Sequence, residues 1–187
     1  MIIGHGLRYV FQVVVARSLG TQLYGLFILG LAVFNVVEML AEGGFASGVV
    51  RFVALYQGEG DRRRVKGTVL LALKWTALSG FLMTLALAAL AHPIAVHFFH
   101  KPELSAVLRT FSLGILFTAL TSMLVSATKG FKVMTYSALI NEIFQPALRV
   151  GLACLAVLAL GFGLSGVLGA YLVPLWLSPL LAYYYLI

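Results

Sequence analysis

Hydrophobic residues occur along this chain in long runs that contain no Asp, Glu, Lys or Arg. These runs cover residues 18–37, 75–100, 110–128 and 150–187. A helix needs about 20 mostly apolar residues to cross the hydrocarbon core of a bilayer, and each run meets that length. The motif Gly161-Phe162-Gly163 divides the last run into two arms. The pattern is therefore typical of an all-α, polytopic membrane protein.

Extending these runs to the nearest turn signals predicts six transmembrane helices. They lie near residues 1–16, 23–56, 67–91, 105–128, 133–160 and 164–187. The second is too long for one straight span and contains Gly43-Gly44, so we expect it to tilt, to break at the glycines or to project beyond the bilayer. The first is short and has no basic segment before its apolar stretch, which disfavours a cleaved signal peptide. We expect further residues ahead of Met1.

The composition favours lipid over water as the solvent of these helices. Of the 187 residues, 61% are hydrophobic and 10% are charged, whereas a soluble globular domain has about 25% charged residues. Six helices buried in a soluble bundle would have too few charges to cover their surface. The net charge of +7 then reflects membrane orientation, and we predict no nucleic-acid partner.

The orientation follows from the basic residues of the predicted loops. The second and fourth loops carry six of them: Arg62, Arg63, Arg64, Lys66, Lys129 and Lys132. The other loops together carry two or three. Because cytoplasmic loops are enriched in Lys and Arg, we predict a protein of the cytoplasmic (inner) membrane whose N-terminus is cytoplasmic. We expect its basic loops to contact anionic membrane lipids.

Polar and ionisable residues inside the predicted spans fall at helical spacing. They are Arg8 and Gln12 in the first helix, Asn35, Glu38 and Glu42 in the second, Lys74 in the third, and Glu142, Gln145 and Arg149 in the fifth. A charge at the bilayer centre costs a few kcal/mol, so such residues usually face a bundle interior or a wet cavity. We predict one charge-lined interior. The alternative is that the arginines and glutamates form structural ion pairs.

Motifs for catalysis and metal binding are missing from the sequence. His92, His97, His100 and Glu103 cluster in the third loop without the spacing of a zinc site, and we assign them to an interfacial segment. Cys154 lies in an apolar run and is interpreted as a small buried residue. Neither a nucleophilic triad nor a Walker loop is found. We therefore predict no enzyme activity, no metal and no cofactor.

Small residues four apart form three further patterns: Gly44 with Gly48, Ser165 with Gly169, and Gly166 with Ala170. Such pairs let transmembrane helices approach closely. We interpret all three patterns as sites of helix packing within this chain.

Short motifs along the whole chain resemble a known family. They include Ala16-Arg17-Ser18-Leu19-Gly20, Tyr24-Gly25, Glu42-Gly43-Gly44, Arg51-Phe52-Val53 and Lys129-Gly130. In this order they resemble the polysaccharide biosynthesis family of flippases, the Wzx-type members of the multidrug/oligosaccharidyl-lipid/polysaccharide exporter (MOP) superfamily. The resemblance implies that the motif positions set the geometry of helix ends and anchor loops rather than contact substrate. These positions are Arg17, Gly20, Tyr24, Gly25 and Arg51.

The resemblance implies a MATE-like fold in which two six-helix lobes face each other across a central cavity that opens to alternate sides. It also implies a flippase for a polyprenyl-diphosphate-linked oligosaccharide in surface polysaccharide biosynthesis, lipopolysaccharide included. This chain would be one lobe. We therefore expect a missing C-terminal lobe or a second copy as its partner, and polysaccharide polymerase or other assembly proteins as further partners.

Within that implied function, the polar stripes become candidate site residues. Arg8, Lys74 and Arg149 would neutralise the diphosphate, and Gln12 and Gln145 would line the same cavity. The three acidic residues would hold the arginines or couple transport to an ion: Glu38, Glu42 and Glu142.

Two alternatives to a flippase remain open from the sequence. A cation-coupled multidrug antiporter of the same superfamily would use Glu38 and Glu42 to bind organic cations. A non-transporting membrane subunit of a polysaccharide-assembly complex would instead tolerate uncharged replacements throughout the stripes.

Overall fold

The protein is described by a computed structural model that covers residues 2–130, 144–156 and 163–186. Helices form nearly all of this part: α1 (Ile2–Glu42), α2 (Phe45–Gly58), α3 (Arg62–Pro93), α4 (Leu104–Gly130), α5 (Gln145–Cys154) and α6 (Leu164–Leu186). A π-helical turn, Ile94–Phe98, follows α3. No strand occurs within the covered ranges. The predicted all-α class is confirmed.

Glycines interrupt the helices at the N-terminal end of the chain. Gly20 lies inside α1 with a φ of 69° and a ψ of 174°, so α1 consists of two helical segments joined at a kink. Gly43 and Gly44 have φ values of 52° and 76° and separate α1 from α2. Glycine adopts positive φ without the penalty that a Cβ brings. The long second helix of the prediction therefore breaks at Gly43-Gly44, one of the outcomes that the sequence predicts.

Asp61 begins α3 by capping its first turn. The Oδ1 atom of Asp61 accepts hydrogen bonds from the backbone N–H groups of Arg63 (3.1 Å) and Arg64 (3.0 Å). Such a cap satisfies donors that have no partner within the helix. As a result, the basic residues from Arg62 to Lys66 belong to α3, five residues ahead of the predicted start at residue 67.

Helix α4 lies at the centre of the fold and packs against α1, α2, α3 and α6. Four aromatic rings join three of these helices: Phe27 and Phe34 of α1, Phe111 of α4 and Tyr171 of α6. The ring centroid of Phe111 lies 5.8 Å from that of Phe27, 5.5 Å from that of Phe34 and 5.5 Å from that of Tyr171. These rings are buried. Two of them, Phe34 and Tyr171, also line the polar cavity described below.

Three glycines allow this packing because a neighbour occupies the space of a side chain. A Cβ on Gly30 would lie 2.6 Å from Val107, one on Gly80 would lie 3.3 Å from the backbone of Leu116, and one on Gly114 would lie 2.8 Å from Leu172. A Cβ on Gly44, Gly48 or Gly169 would meet nothing within 4 Å. The prediction of close helix packing at these last three glycines is therefore wrong.

In the part of the chain that the structure covers, three helical stretches are long and apolar enough to cross a bilayer. They are Gly6–Gly58, Arg62–Phe98 and Leu104–Lys129, and the apolar helix Leu164–Leu180 is shorter. The first stretch has 53 residues and includes the breaks at Gly20 and Gly43-Gly44. Only part of the predicted helix 133–160 is covered, as α5.

Candidate functional site

A polar cavity of about 260 Å³ lies between α1, α4, α5 and α6. It contains two carboxylates, two basic side chains and several hydroxyl groups, with aromatic and aliphatic residues at its floor. We call it cavity A and define it by its lining: Phe34, Glu38, Glu42, Thr118, Thr121, Ser122, Val125, Ser126, Lys129, Gln145, Arg149, Tyr171 and Leu175.

The α1 wall of cavity A is one face of a helix. Phe34, Glu38 and Glu42 are four residues apart and therefore lie one above another, with all three side chains lining the cavity. Asn35, which the sequence analysis placed in the same stripe, is exposed and does not line it. Glu38 lies beside Glu42 and within electrostatic reach of Arg149.

Helix α4 forms a neighbouring wall of cavity A that the sequence did not predict. Thr118, Thr121, Ser122 and Ser126 recur at spacings of three or four residues and face cavity A. The Thr118 hydroxyl lies within hydrogen-bonding distance of the Glu38 carboxylate and 3.0 Å from the backbone oxygen of Ile115. The helical spacing of these hydroxyl groups is a signal that sequence reasoning could have used. Uncharged hydroxyls are easily overlooked because they are common in buried helices.

Lys129 also lines cavity A, at the end of α4. The sequence predicts a cytoplasmic loop at this position. Helix α4 extends to Gly130, which places the exposed Lys129 side chain at the margin of the cavity.

Arg149 is held in place by a chain of neutral groups from α5 and α6. Its Nη2 atom donates to Oε1 of Gln145 at 3.3 Å, and Nε2 of Gln145 donates to Oγ of Ser178 at 2.9 Å. Ser178 in turn donates to the backbone oxygen of Pro174 at 2.6 Å. The Arg149 Cζ atom lies 4.1 Å from the centroid of the Tyr171 ring, a cation–π geometry. This chain fixes the guanidinium at the cavity wall.

The electrostatics of Arg149 suit an anionic ligand. Its Nε–H is buried and has no hydrogen-bond partner, and a buried unpaired donor costs about 1–3 kcal/mol. Among the covered residues, the ion pairs within 4.0 Å join Arg64 to Glu59 and Asp61; none joins Arg149 to Glu38 or Glu42. The guanidinium of an arginine that lines a polar cavity matches the oxygens of a phosphate or carboxylate.

A second cavity of about 150 Å³ adjoins cavity A at Arg149. We call it cavity B and define it by its lining: Arg8, Phe11, Gln12, Phe27, Ile28, Leu31, Pro146, Arg149 and Tyr171. Arg149 and Tyr171 line both cavities. The predicted site residues Arg8 and Gln12 thus lie next to cavity A rather than in it.

The remaining predicted site residues do not line cavity A or cavity B in the described part of the chain. Lys74 is exposed on α3 and lines neither cavity, and Glu142 lies outside the described residues. Arg17 and Arg51 are exposed, Tyr24 and Gly25 are half-buried, and Gly20 forms the kink of α1. Groups of three His, Cys, Asp or Glu that suit a metal ion are not found within the described ranges.

Comparisons with known proteins agree on a family and a fold. The family model described as "Polysaccharide biosynthesis protein" matches residues 1–187. Two solved structures superpose with a TM-score of 0.85: an outward-facing multidrug resistance MATE family transporter of the MOP superfamily, 17% identical, and a MATE structure in the straight conformation, 18% identical. Each match covers 99% of this chain and 42% of the other. No curated protein sequence matches at a significant level.

These matches confirm the family that the sequence motifs indicate, and the superposition confirms that the helices are arranged as in the MATE transporters. The apolar helices, the family and the fold together make this a multi-pass membrane protein. The chain spans about two fifths of the length of the solved structures that it matches. It therefore belongs to the polysaccharide biosynthesis protein family and has the fold of part of a MATE transporter of the MOP superfamily.

Proposed function

We propose that this chain is one lobe of a flippase that moves a polyprenyl-diphosphate-linked oligosaccharide across the cytoplasmic membrane during surface polysaccharide biosynthesis. Family membership supports the pathway, and the fold supports a transport mechanism. The observation that carries the proposal is Arg149, a positively charged residue that lines a polar cavity and, among the described residues, forms no ion pair with Glu38 or Glu42 there. The N-terminus and the basic start of α3 are then on the cytoplasmic side.

The lining of cavity A matches the two polar parts of such a substrate. Arg149 binds a diphosphate oxygen through its guanidinium group, and Lys129 adds a second positive charge at the margin. Glu38 and Glu42 accept hydrogen bonds from sugar hydroxyls, and the α4 hydroxyls both donate and accept them. The carboxylates also oppose deep entry of the diphosphate into the cavity, since like charges repel. Arg149 therefore meets the diphosphate and the α4 wall meets the glycan.

Transport in this scheme needs a facing lobe. Alternating access in transporters built from repeats proceeds by rocking one repeat against another around a fixed site. We propose that a second lobe or a second copy of this chain completes the cavity, and that assembly proteins receive the product. The scheme contains no covalent step, so it assigns no catalytic residue and no cofactor.

The test is complementation of cells that lack the full-length protein. We expect wild type to restore surface polysaccharide, and Arg149→Ala to lower it and to cause lipid-linked oligosaccharide to accumulate inside. Arg109→Ala, which removes an exposed arginine of α4, is the matched control and should behave as wild type. Normal surface polysaccharide in Arg149→Ala cells would exclude the proposed role of Arg149. Loss of polysaccharide assembly without accumulation of lipid-linked precursor would instead favour a non-transporting subunit.

One observation favours a second candidate, a cation-coupled multidrug antiporter. Glu38 and Glu42 both line cavity A, and the two carboxylates lie beside each other. Two such carboxylates suit an organic cation. Under this candidate, Glu38→Gln with Glu42→Gln would abolish resistance to cationic drugs and leave surface polysaccharide unchanged. Under the flippase proposal, the same pair of changes lowers surface polysaccharide and leaves drug resistance unchanged.

A further inference from the structure

We infer that cavity B is a separate subsite for the first isoprene unit of the lipid, so that the two cavities sort the substrate into an apolar part and a polar part on either side of Arg149. This inference rests on the proposed function, because it assigns the parts of that substrate to named surfaces. It adds a binding site for an isoprenoid group, which the proposed function alone does not require.

The first support is the position of the boundary. Arg149 and Tyr171 line both cavities, whereas the remaining lining residues differ entirely. In a polyprenyl-diphosphate glycolipid, the diphosphate likewise lies between the apolar chain and the sugars. A diphosphate bound at Arg149 therefore has one neighbouring space on its glycan side and another on its lipid side.

The second support is the chemistry of the two linings. Among the described residues that line cavity B, five of nine are apolar: Phe11, Phe27, Ile28, Leu31 and Pro146. Cavity A instead presents carboxylates, hydroxyls and an amide. Moving an isoprene unit into cavity A would strip water from those groups without offering them hydrogen bonds, which is unfavourable. In cavity B the same unit meets apolar surface, and burial of that surface is favourable.

The third support is size. Cavity B has a volume of about 150 Å³, and an apolar protein cavity of about 150 Å³ is large enough for benzene. One five-carbon isoprene unit is of similar size. Cavity B therefore accepts the unit next to the diphosphate, and the rest of the polyprenyl chain extends into the bilayer.

Charge complementarity selects this occupant over an uncharged lipid tail. Arg149 and Arg8 both line cavity B, so the diphosphate attached to an isoprene unit there has two guanidinium groups close to it. A neutral acyl chain gains nothing from them, whereas an isoprenoid diphosphate places its anion beside them. The geometry thus favours an isoprenoid with a phosphate-type headgroup.

The experiment measures protection of single cysteines in the full-length protein, with Cys154 and any other native cysteine replaced by serine. Leu31→Cys reports on cavity B and Ser122→Cys on cavity A. Val36→Cys is the control because its side chain is 62% exposed on α1. The probes are farnesyl diphosphate and inorganic diphosphate, and the readout is the rate of labelling by a small maleimide.

We expect saturating farnesyl diphosphate to slow labelling of Leu31→Cys about tenfold. Labelling of the Val36→Cys control should not change. Ser122→Cys should change less than twofold. Inorganic diphosphate should leave Leu31→Cys labelling within twofold. If Leu31→Cys does not purify as a folded protein, Ile28→Cys, also in cavity B, replaces it.

Two results would overturn the inference: no protection of Leu31→Cys or Ile28→Cys by farnesyl diphosphate, or equal protection of the cavity A and cavity B positions. The complementation test of Arg149→Ala separates this failure from that of the proposed function. Loss of surface polysaccharide in Arg149→Ala cells without protection in cavity B would refute the isoprene subsite alone. Normal polysaccharide in those cells would refute the role of Arg149 itself.

Discussion

Arg149 and Lys74 are both basic residues within the predicted spans, and the structure gives them opposite surroundings. Arg149 is fixed by Gln145 and stacked on Tyr171, between two cavities. Lys74 is exposed on α3, next to Trp75, which is 54% exposed. The difference shows two ways in which a helix of a membrane protein can accommodate a charged side chain. One encloses the charge in a polar network, and the other leaves it on the outer surface.

The outer face of α3 around Lys74 is suited to lipid. Leu70, Leu71 and Leu78 are at least half exposed on the same helix. Lys74 lies 12 residues after Arg62, about 18 Å along the helix at 1.5 Å per residue. Its long stem can cover apolar surface of α3. Lys74 therefore lacks the polar network that surrounds Arg149.

The largest difference in transport rate should be found between two single alanine variants, one at Arg149 and one at Lys74. We expect Arg149→Ala to lower the initial rate of surface polysaccharide appearance by about 100-fold, since a hydrogen bond to a charged group is worth roughly 1.5–3 kcal/mol. Lys74→Ala should stay within about twofold of wild type, in keeping with the small effect of most surface substitutions. Equal losses in the two variants would show that Lys74 also contacts substrate, as the sequence analysis predicted.

The next effect concerns the packing of α4 against α1 and α6 at Gly114. A Cβ on Gly114 would lie 2.8 Å from Leu172 and 3.2 Å from Phe34, whereas one on Gly67 of α3 would meet nothing within 4 Å. We expect Gly114→Ala to destabilise the protein by about 1–3 kcal/mol through overpacking. Gly67→Ala should be neutral or stabilising by up to about 1 kcal/mol, because alanine favours helix. Thermal unfolding in detergent measures both, and a stable Gly114→Ala would show that Leu172 moves aside easily.

A smaller effect is expected from the ring under Arg149. Tyr171→Leu removes the cation–π contact, which is worth about 0.5–2 kcal/mol, and should weaken binding of inorganic diphosphate by roughly tenfold. Tyr171→Phe keeps the ring and should bind diphosphate nearly as wild type does. Both affinities can be measured on the purified full-length protein. If the phenylalanine variant binds as weakly as the leucine variant, the hydroxyl group rather than the ring acts on Arg149.

The smallest effect is expected at Ser178, which contacts Arg149 only through Gln145. Ser178→Ala removes one neutral hydrogen bond, worth about 0.5–1.5 kcal/mol, and should weaken diphosphate binding a few-fold. Ser165→Ala, at an exposed serine of the same helix, is the control and should leave affinity unchanged. An unchanged affinity in Ser178→Ala would show that Tyr171 alone holds the guanidinium.

Several parts of the site were predictable because helical spacing already places residues on one face. Glu38 with Glu42 and Gln145 with Arg149 are each four apart, and all four line cavity A. The positive φ of Gly43 and Gly44 follows from the tolerance of glycine for that region. In each case the prediction required only local geometry.

The hydroxyl wall of α4 and the position of Lys129 were not predicted. Serine and threonine are common in apolar helices, so their presence does not show which face meets a cavity. Lys129 was assigned to a loop because its charge follows an apolar run, but α4 continues to Gly130. Both errors arise because the facing helices, and not the residue itself, decide whether a side chain meets lipid, protein or a cavity.

Long charge-free runs and short family motifs suffice to identify a helical membrane protein of the polysaccharide biosynthesis family, because a bilayer requires helices of a certain length and apolarity. The sequence also identifies the candidate charges inside the spans. It does not distinguish Arg149 from Lys74, since both are single basic residues in apolar helices. That distinction depends on Gln145, Ser178 and Tyr171 meeting around one guanidinium, and residues from separate helices come together only when the helices pack.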